Sequence, residues 1–398
     1  MHPEHVPSSL VVDFDVYAPT RHEADFHAAW KALQDATTAD VVWTPHNGGH
    51  WIALRGKPMT EVFNDSATFS SHIILVPKSS GEQHKLLPTT LDPPEHRAYR
   101  NVLNPAFTPR RVRALEQTVR EVAIELIEAV RPAGACNFTT AYAEALPIRI
   151  FLALLDLPPA DGPRLKYLSD QTTRPDGSMS FAAALQALHD YLTPFVERRR
   201  EHPGDDLLST IVSSQVSGRA LTHDECMNLC TQVLIAGLDT VVNFLGFLML
   251  FLARNPAHRR QLHDAPEQIP AAIEELVRRF GIVSIARLVT RDLDFHGAPL
   301  HCGDMILLPT VLHGLDEREN ADPTRVDFGR SHARHSTFGQ GAHHCVGAQL
   351  ARTELRVTVE EWLARIPEFE VAPGATIACQ GGIVGCVSEL PLVWTVTS

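Results

Sequence analysis

Residues 338–347 read FGQGAHHCVG, from Phe338 through Gly339, His343, His344 and Cys345 to Gly347. One of the chain's seven cysteines stands here among three glycines. In the stretch that follows, Leu350, Leu355, Val359, Trp362, Leu363 and Ile366 recur at a period near 3.6. That pattern predicts an amphipathic helix beginning near Gly347 and stopping before Pro367. Cys345 is therefore expected at a helix entrance, where unpaired N–H groups and the positive end of the dipole favour an anion. The thiolate is also the form of cysteine that binds metal or attacks.

Three roles for Cys345 compete. A hydrolytic nucleophile needs a base, and although His343 and His344 are near in sequence, neighbours on a tight loop rarely point at each other. A haem ligand needs no base. It needs a loop that approaches the porphyrin face, which glycines allow, and N–H groups aimed at the sulfur. A cysteine with no role is the bland alternative, and the spacing F-G-x-G-x-H-x-C-x-G is far more restrictive than that reading requires.

Working outward, 398 residues with 44% hydrophobic content can bury a large core. No linker-like stretch or repeat divides them, and the 28 prolines are scattered, so one domain over 1–398 is expected. A net charge of −12 argues against a nucleic-acid binder. The N-terminus lacks a basic region followed by an apolar run, so no signal peptide or membrane anchor is expected. The most apolar segment, 233–253, is uncharged only between Asp239 and Arg254, short of the ~18 residues of a membrane span. Irregularly spaced, odd-numbered cysteines suit a reducing cytoplasm.

Helical patterns dominate. Residues 110–130 alternate charged and apolar faces, and 270–280 begin on a proline suited to a first turn. Thr222 and Glu225 form a capping box that opens a helix running to Asn255, roughly 50 Å long at ~1.5 Å per residue. Strands are expected at 50–54, 286–297, 304–309 and 391–396. The fold class is mainly α with small β-sheets, not a doubly wound α/β pattern.

FGQGAHHCVG resembles the haem loop of the cytochromes P-450, the haem-thiolate monooxygenases. DPPEHRAYR (92–100), AGLDT (236–240) and EELVR (274–278) match the same family in the same order, and further segments resemble its bacterial camphor monooxygenase type. The resemblance spans nearly the whole chain. It implies the P-450 fold with a long central helix over haem b (iron protoporphyrin IX), and Cys345 as the iron ligand. His96, Arg100, Arg287 and His343 then match propionate donors, with Phe338 and Gly339 in the haem loop. Alone, each donor would more simply be a solvated surface residue.

Glu275 and Arg278, alone, would be a surface i,i+3 pair worth ~0.2–0.5 kcal/mol; the resemblance makes them a buried scaffold pair. Asp239 and Thr240 interrupt an apolar helix, where a charge costs several kcal/mol unless paired. The structural reading is an aspartate satisfied by a nearby arginine or lysine. The functional one, favoured by the resemblance, has Asp239 and Thr240 relaying protons, with a helix distortion at Ala236-Gly237 making room for O2 and water.

The resemblance further implies O2, a two-iron ferredoxin and its NADH-dependent reductase, docking through Arg97, Arg100 and Arg352. A peroxide-driven haem enzyme or a haem sensor are the alternatives, and neither needs an acid–alcohol pair. By loop and helix alignment the substrate pocket comprises Leu75, His84, Leu86, Thr89, Gln232, Ile235, Val283, Ile383 and Val384. Leucines at 75 and 86 in place of aromatic rings suggest a terpenoid ketone longer than camphor, of ionone size, with His84 or Gln232 donating to its oxygen.

Overall fold

The computed structural model describes residues 2–19, 25–82 and 85–396, so His84 lies outside the described residues. Eight helices frame the site: α1 (Glu95–Leu103), α2 (Pro109–Val130), α3 (Ala145–Leu155), α4 (Gly162–Thr173), α5 (Phe181–Glu201), α6 (His223–Arg254), α7 (Ile269–Arg279) and α8 (Ala348–Arg365). The principal sheet has five strands in the order β1 (Val41–Thr44), β2 (His50–Ala53), β5 (Met305–Pro309), β4 (Ser284–Val289), β3 (Phe69–Ser70). Only the β2–β5 pairing is parallel.

α6 is the axis. Its Thr222 side chain accepts from Glu225 N–H while the Glu225 carboxylate accepts from Thr222 N–H, closing the expected box. By length and composition this helix could cross a membrane, contrary to the count from its uncharged part alone, but 78% of its most apolar window is buried. It threads the protein core, flanked by α3, α4 and α5.

α8 begins three residues after Cys345 and runs parallel to α2. The direction shows in a ladder of ion pairs that climbs both helices together: Arg356 to Glu116 at 2.8 Å, Arg120 to Glu360 at 2.6 Å, Arg365 to Glu128 at 3.1 Å. The expected strand over 286–297 is two pieces. β4 ends at Val289 because Thr290 N–H turns to the Thr68 carbonyl, and a separate strand covers Leu293–Phe295.

The Glu275–Arg278 pair is buried, with contacts of 2.7 and 2.8 Å. Arg278 also donates to the carbonyls of Gly314, Pro323 and Arg325, and Arg330 adds a third cation–carboxylate contact at 3.0 Å. The pair therefore clamps the 314–330 segment to α7 and faces no cavity that Cys345 shares.

Candidate active site

Cys345 stands at the floor of an internal cavity roofed by α6. The loop is closed by the Cys345 N–H donating to the Phe338 carbonyl at 2.8 Å. Gly339 and Gly341 have φ of 65° and 63°, where L side chains are strained. At Gly341 a Cβ would also meet the Phe63 carbonyl at 2.8 Å. Cys345 is exposed only in the sense that it borders this cavity; the protein around it is dense. Burial accordingly raises its pKa, and the N–H groups of Gly347 and Ala348 with the charges of Arg100 and Arg352 act to lower it. His344 is not part of the cavity wall; its carbonyl receives a bond from Arg100.

Beside Cys345 lies a group of cations and donors with no carboxylate of its own. Arg287 is 3% exposed, and its side chain's one hydrogen bond among the described residues is to the Ala286 carbonyl, 2.8 Å away. Burial lowers its pKa to about 10. The His96 and His343 rings lie 4.2 Å apart, tilted by 51°, and the Nε2 of His96 is buried without a partner among the described residues. Burial and then neighbouring arginine charge drive these imidazoles down to about 4 and about 3, so both are neutral. The nearest acid, Asp92, is engaged by Ser70 at 2.5 Å and by the Ser71 N–H at 2.8 Å. Buried cations without anions cost several kcal/mol. Two guanidiniums and two donor imidazoles beside a deep cysteine fit a flat ligand carrying two carboxylates, which is haem b with its propionates.

The roof is one face of α6. Gln232, Ala236, Thr240 and Phe244 recur every four residues along the cavity, with Val233, Gly237 and Val241 beside them. The helix is continuous through 236–237, correcting the expected distortion. Thr240 Oγ1 donates to the Ala236 carbonyl at 3.2 Å. Gly237 is required for a reason the motif does not reveal: a Cβ there would come within 2.3 Å of the Phe151 ring of α3.

Asp239 faces away from the cavity and is 1% exposed. Arg174 grips it with contacts of 2.5 and 3.0 Å, Asn243 donates at 2.7 Å, and Lys166 stands at 3.7 Å. Burial alone would raise its pKa, but Arg174 outweighs it and holds the carboxyl at about 2. Asp170, bound to both Lys166 and Arg174, is raised to about 6 by burial, with the Asp239 charge adding to the effect. The ion pairing expected of a merely structural aspartate is therefore present, next to the alcohol that lines the cavity.

Of the residues proposed for the substrate pocket, Thr89, Gln232 and Val283 line the cavity. Leu75, Leu86 and Ile235 are buried elsewhere, while Ile383 and Val384 meet the 283–284 backbone, so these five do not form its wall. Sequence reasoning missed Phe151, Leu103, Ile285 and Glu354, all in the wall. Arg352 is not free: Glu274 holds it at 2.5 and 3.0 Å, and it lies 4.4 Å over the Phe338 ring.

A cysteine under a cavity, flanked by buried donors for two carboxylates and roofed by an acid–alcohol helix, defines a haem-thiolate oxygenase. Comparison with known proteins makes the assignment specific. Residues 177–376 match the family model described as Cytochrome P450. The "Probable cytochrome P450 127A1" of Sinorhizobium fredii is 34% identical over 98% of this chain and 96% of its own. The "Mycinamicin IV hydroxylase/epoxidase" of Micromonospora griseorubida is 30% identical over 91% and 94%. The crystal structure of CYP101J2 superposes with a TM-score of 0.93 at 44% identity, covering both chains fully. That of CYP101C1 gives 0.92 at 45%, covering 99% of this chain and 100% of the other. The chain belongs to the cytochrome P450 family and is a haem b monooxygenase.

Proposed function

We propose that this enzyme hydroxylates an apolar terpenoid ketone longer than camphor, with electrons supplied by a two-iron ferredoxin and its NADH-dependent reductase in the cytoplasm. The observation that carries the substrate reading is Gln232. Its amide lines the cavity and makes no hydrogen bond among the described residues, while its neighbours in that wall, Val233, Ala236 and Gly237, are apolar. Gln232 and Thr240 share one helix face, eight residues and so ~12 Å apart along the axis. A ketone held at Gln232 with a carbon presented below Thr240 must be elongated. A compact bicycle would leave apolar volume unfilled beside the iron, losing dispersion contacts and admitting water.

The protein's own residues divide the work. Cys345 would ligate the iron of haem b, and Arg100, Arg287, His96 and His343 would hold its two carboxylates. Haem b supplies the dioxygen activation that inserts one oxygen atom into a C–H bond. Thr240 presents a hydroxyl that can exchange its bond to the Ala236 carbonyl for one to water or oxygen in the cavity. Asp239, ionised and gripped by Arg174, accepts a proton only when that grip loosens, and Asp170, which shares Arg174 and Lys166 with it, offers one.

Spectral titration of the haem protein tests the reading. An ionone-sized ketone should shift the iron to high spin where camphor does little. Gln232→Leu should weaken the ketone, but not its hydrocarbon analogue, by the ~0.5–1.5 kcal/mol of one hydrogen bond. If camphor binds more tightly than every longer ketone, the pocket reading is wrong.

A further inference from the structure

A second cleft, of ≈ 560 Å³, opens at the C-terminal turns of α6. Among the described residues it shares no wall with the cavity over Cys345. Thr240 and Phe251 are eleven residues apart on α6, so the two spaces lie ~16 Å apart along its axis. Aromatic rings line the cleft in unbroken succession. His27 packs on Phe247 at 4.7 Å and on Phe280 at 5.1 Å, Phe280 on Phe251 at 5.4 Å, Phe251 on His258 at 5.1 Å, and His258 on Phe328 at 5.2 Å. Both imidazoles are engaged, with His27 donating to the Gly281 carbonyl and His258 to that of Val326.

Three arginines join these rings in the wall. Arg279, the last residue of α7, is half-buried and lies 4.8 Å over the Phe280 ring. Its Nε donates to the Thr324 carbonyl at 2.9 Å, but its Nη1 is buried with no partner among the described residues. Burial lowers its pKa to about 10, and the Asp25 charge only partly offsets that. Arg254 and Arg325 are exposed at the rim, and their side chains make no ion pair or hydrogen bond among the described residues. Two acids also line the cleft, each occupied by backbone: Asp25 accepts from the Ala28 N–H at 2.8 Å and Asp327 from the Gly329 N–H at 2.9 Å. Three cations against two anions leave room for one further negative charge.

We propose that this cleft is a second binding site, for a small planar aromatic carboxylate whose acid group sits on Arg279 and whose ring lies against Phe251, Phe280 and Phe328. A guanidinium fork with a free N–H matches a carboxylate, and a desolvated cation gains most from such a partner. Ring faces and edges receive an aromatic body in offset or edge-on contact, and a space of this size holds one small molecule. A bare phosphate would satisfy the arginine and leave the rings wet, and its second charge would face Asp25 and Asp327. A neutral aromatic would fill the rings and leave Nη1 unpaired, which is costly in a buried place. Only the combination of one carboxylate and one ring system answers both halves of the wall. The site is independent of the haem substrate and of the electron donor.

The test titrates naphthoate, and naphthylmethanol as its neutral counterpart, into the haem-loaded full chain by calorimetry. Naphthoate should bind with a Kd below about 1 mM, and the alcohol about tenfold more weakly or worse. The Soret band should stay where it is throughout, since the probe does not enter the cavity over Cys345. Arg279→Gln should weaken naphthoate about tenfold or more and leave the alcohol unchanged. Because Arg279 also holds Thr324 and Phe280, the exposed pair Arg254→Glu, Arg325→Glu serves as the second variant. It should raise the naphthoate Kd severalfold without moving the melting temperature or the spectrum of the reduced carbon monoxide complex. Equal affinity for acid and alcohol, or no binding of naphthoate up to about 10 mM, overturns the site. So does a naphthoate Kd that neither variant changes, or a Soret shift that tracks naphthoate occupancy and so puts the probe over the iron.

Discussion

Replacing Arg174 with glutamine should both loosen the fold and change how the site handles protons. The substitution leaves the Asp239 carboxylate buried with only Asn243 at 2.7 Å and Lys166 at 3.7 Å. Removing one partner of a buried ion pair costs ~3–5 kcal/mol. For a chain of 398 residues the unfolding entropy is about 0.8 kcal/mol/K, so the melting temperature should drop by ~4–6 °C. The sign with pH follows from Asp239, whose folded pKa of about 2 lies below its ordinary value. Its contribution is fully present above pH ~4 and is lost as pH falls toward 2, so the gap between parent and variant should close over that range. Adding Asp239→Asn removes the stranded charge. The double variant should be less destabilised than the two single losses combined, with a coupling of ~1–3 kcal/mol by denaturant titration. Turnover of the Arg174→Gln protein should gain a pH dependence at higher pH than the parent, since Asp239 then takes a proton more readily. Additive losses within ~0.5 kcal/mol together with an unshifted pH–rate profile would refute the pairing as both anchor and proton gate.

Further outcomes can be checked directly. Cys345→Ser should lose the red-shifted Soret band of the reduced carbon monoxide complex; its retention would remove Cys345 as the ligand. Thr240→Ala should continue to consume NADH while releasing peroxide in place of product, and unchanged coupling would exclude the hydroxyl from oxygen handling. Arg352→Glu, which sets a carboxylate against Glu274 and removes a charge that lowers the Cys345 pKa, should weaken the thiolate spectrum more than ferredoxin binding. Glu354 is raised from 4.5 to about 8 by burial, so native stability should fall as pH climbs between those values. Glu354→Gln should flatten that slope by a few kcal/mol in denaturant titrations across pH, and an unchanged slope would mean the carboxyl is solvated.

What the sequence disclosed was local. The Cys345 loop, the Thr222–Glu225 box and the Glu275–Arg278 pair lie within a helical turn or one short loop, where spacing alone decides which side chains meet. What it concealed was which helix faces which. Arg174 reaches Asp239 across 65 residues and Glu274 reaches Arg352 across 78, contacts that no periodicity encodes. The cavity lining shows the same limit: Gln232 and Thr240, on one face of α6, line it, whereas Ile235 on the same helix and the loop residues Leu75, Leu86, Ile383 and Val384 are not among its lining residues. Phe151 left no signal because its role exists only against Gly237.

That contact also constrains the order of evolutionary change. A methyl group at 237 would overlap the Phe151 ring at 2.3 Å, so a larger residue there is accepted only by a lineage that has already shortened 151. Shortening 151 first opens a void against Gly237 of α6, a loss of ~3–5 kcal/mol before any gain. Both single steps run downhill in fitness, and the two positions are therefore locked as a pair. Descendants of this sequence can vary the cavity wall at Gln232, Thr89 and Val283 far more freely than at Gly237 and Phe151.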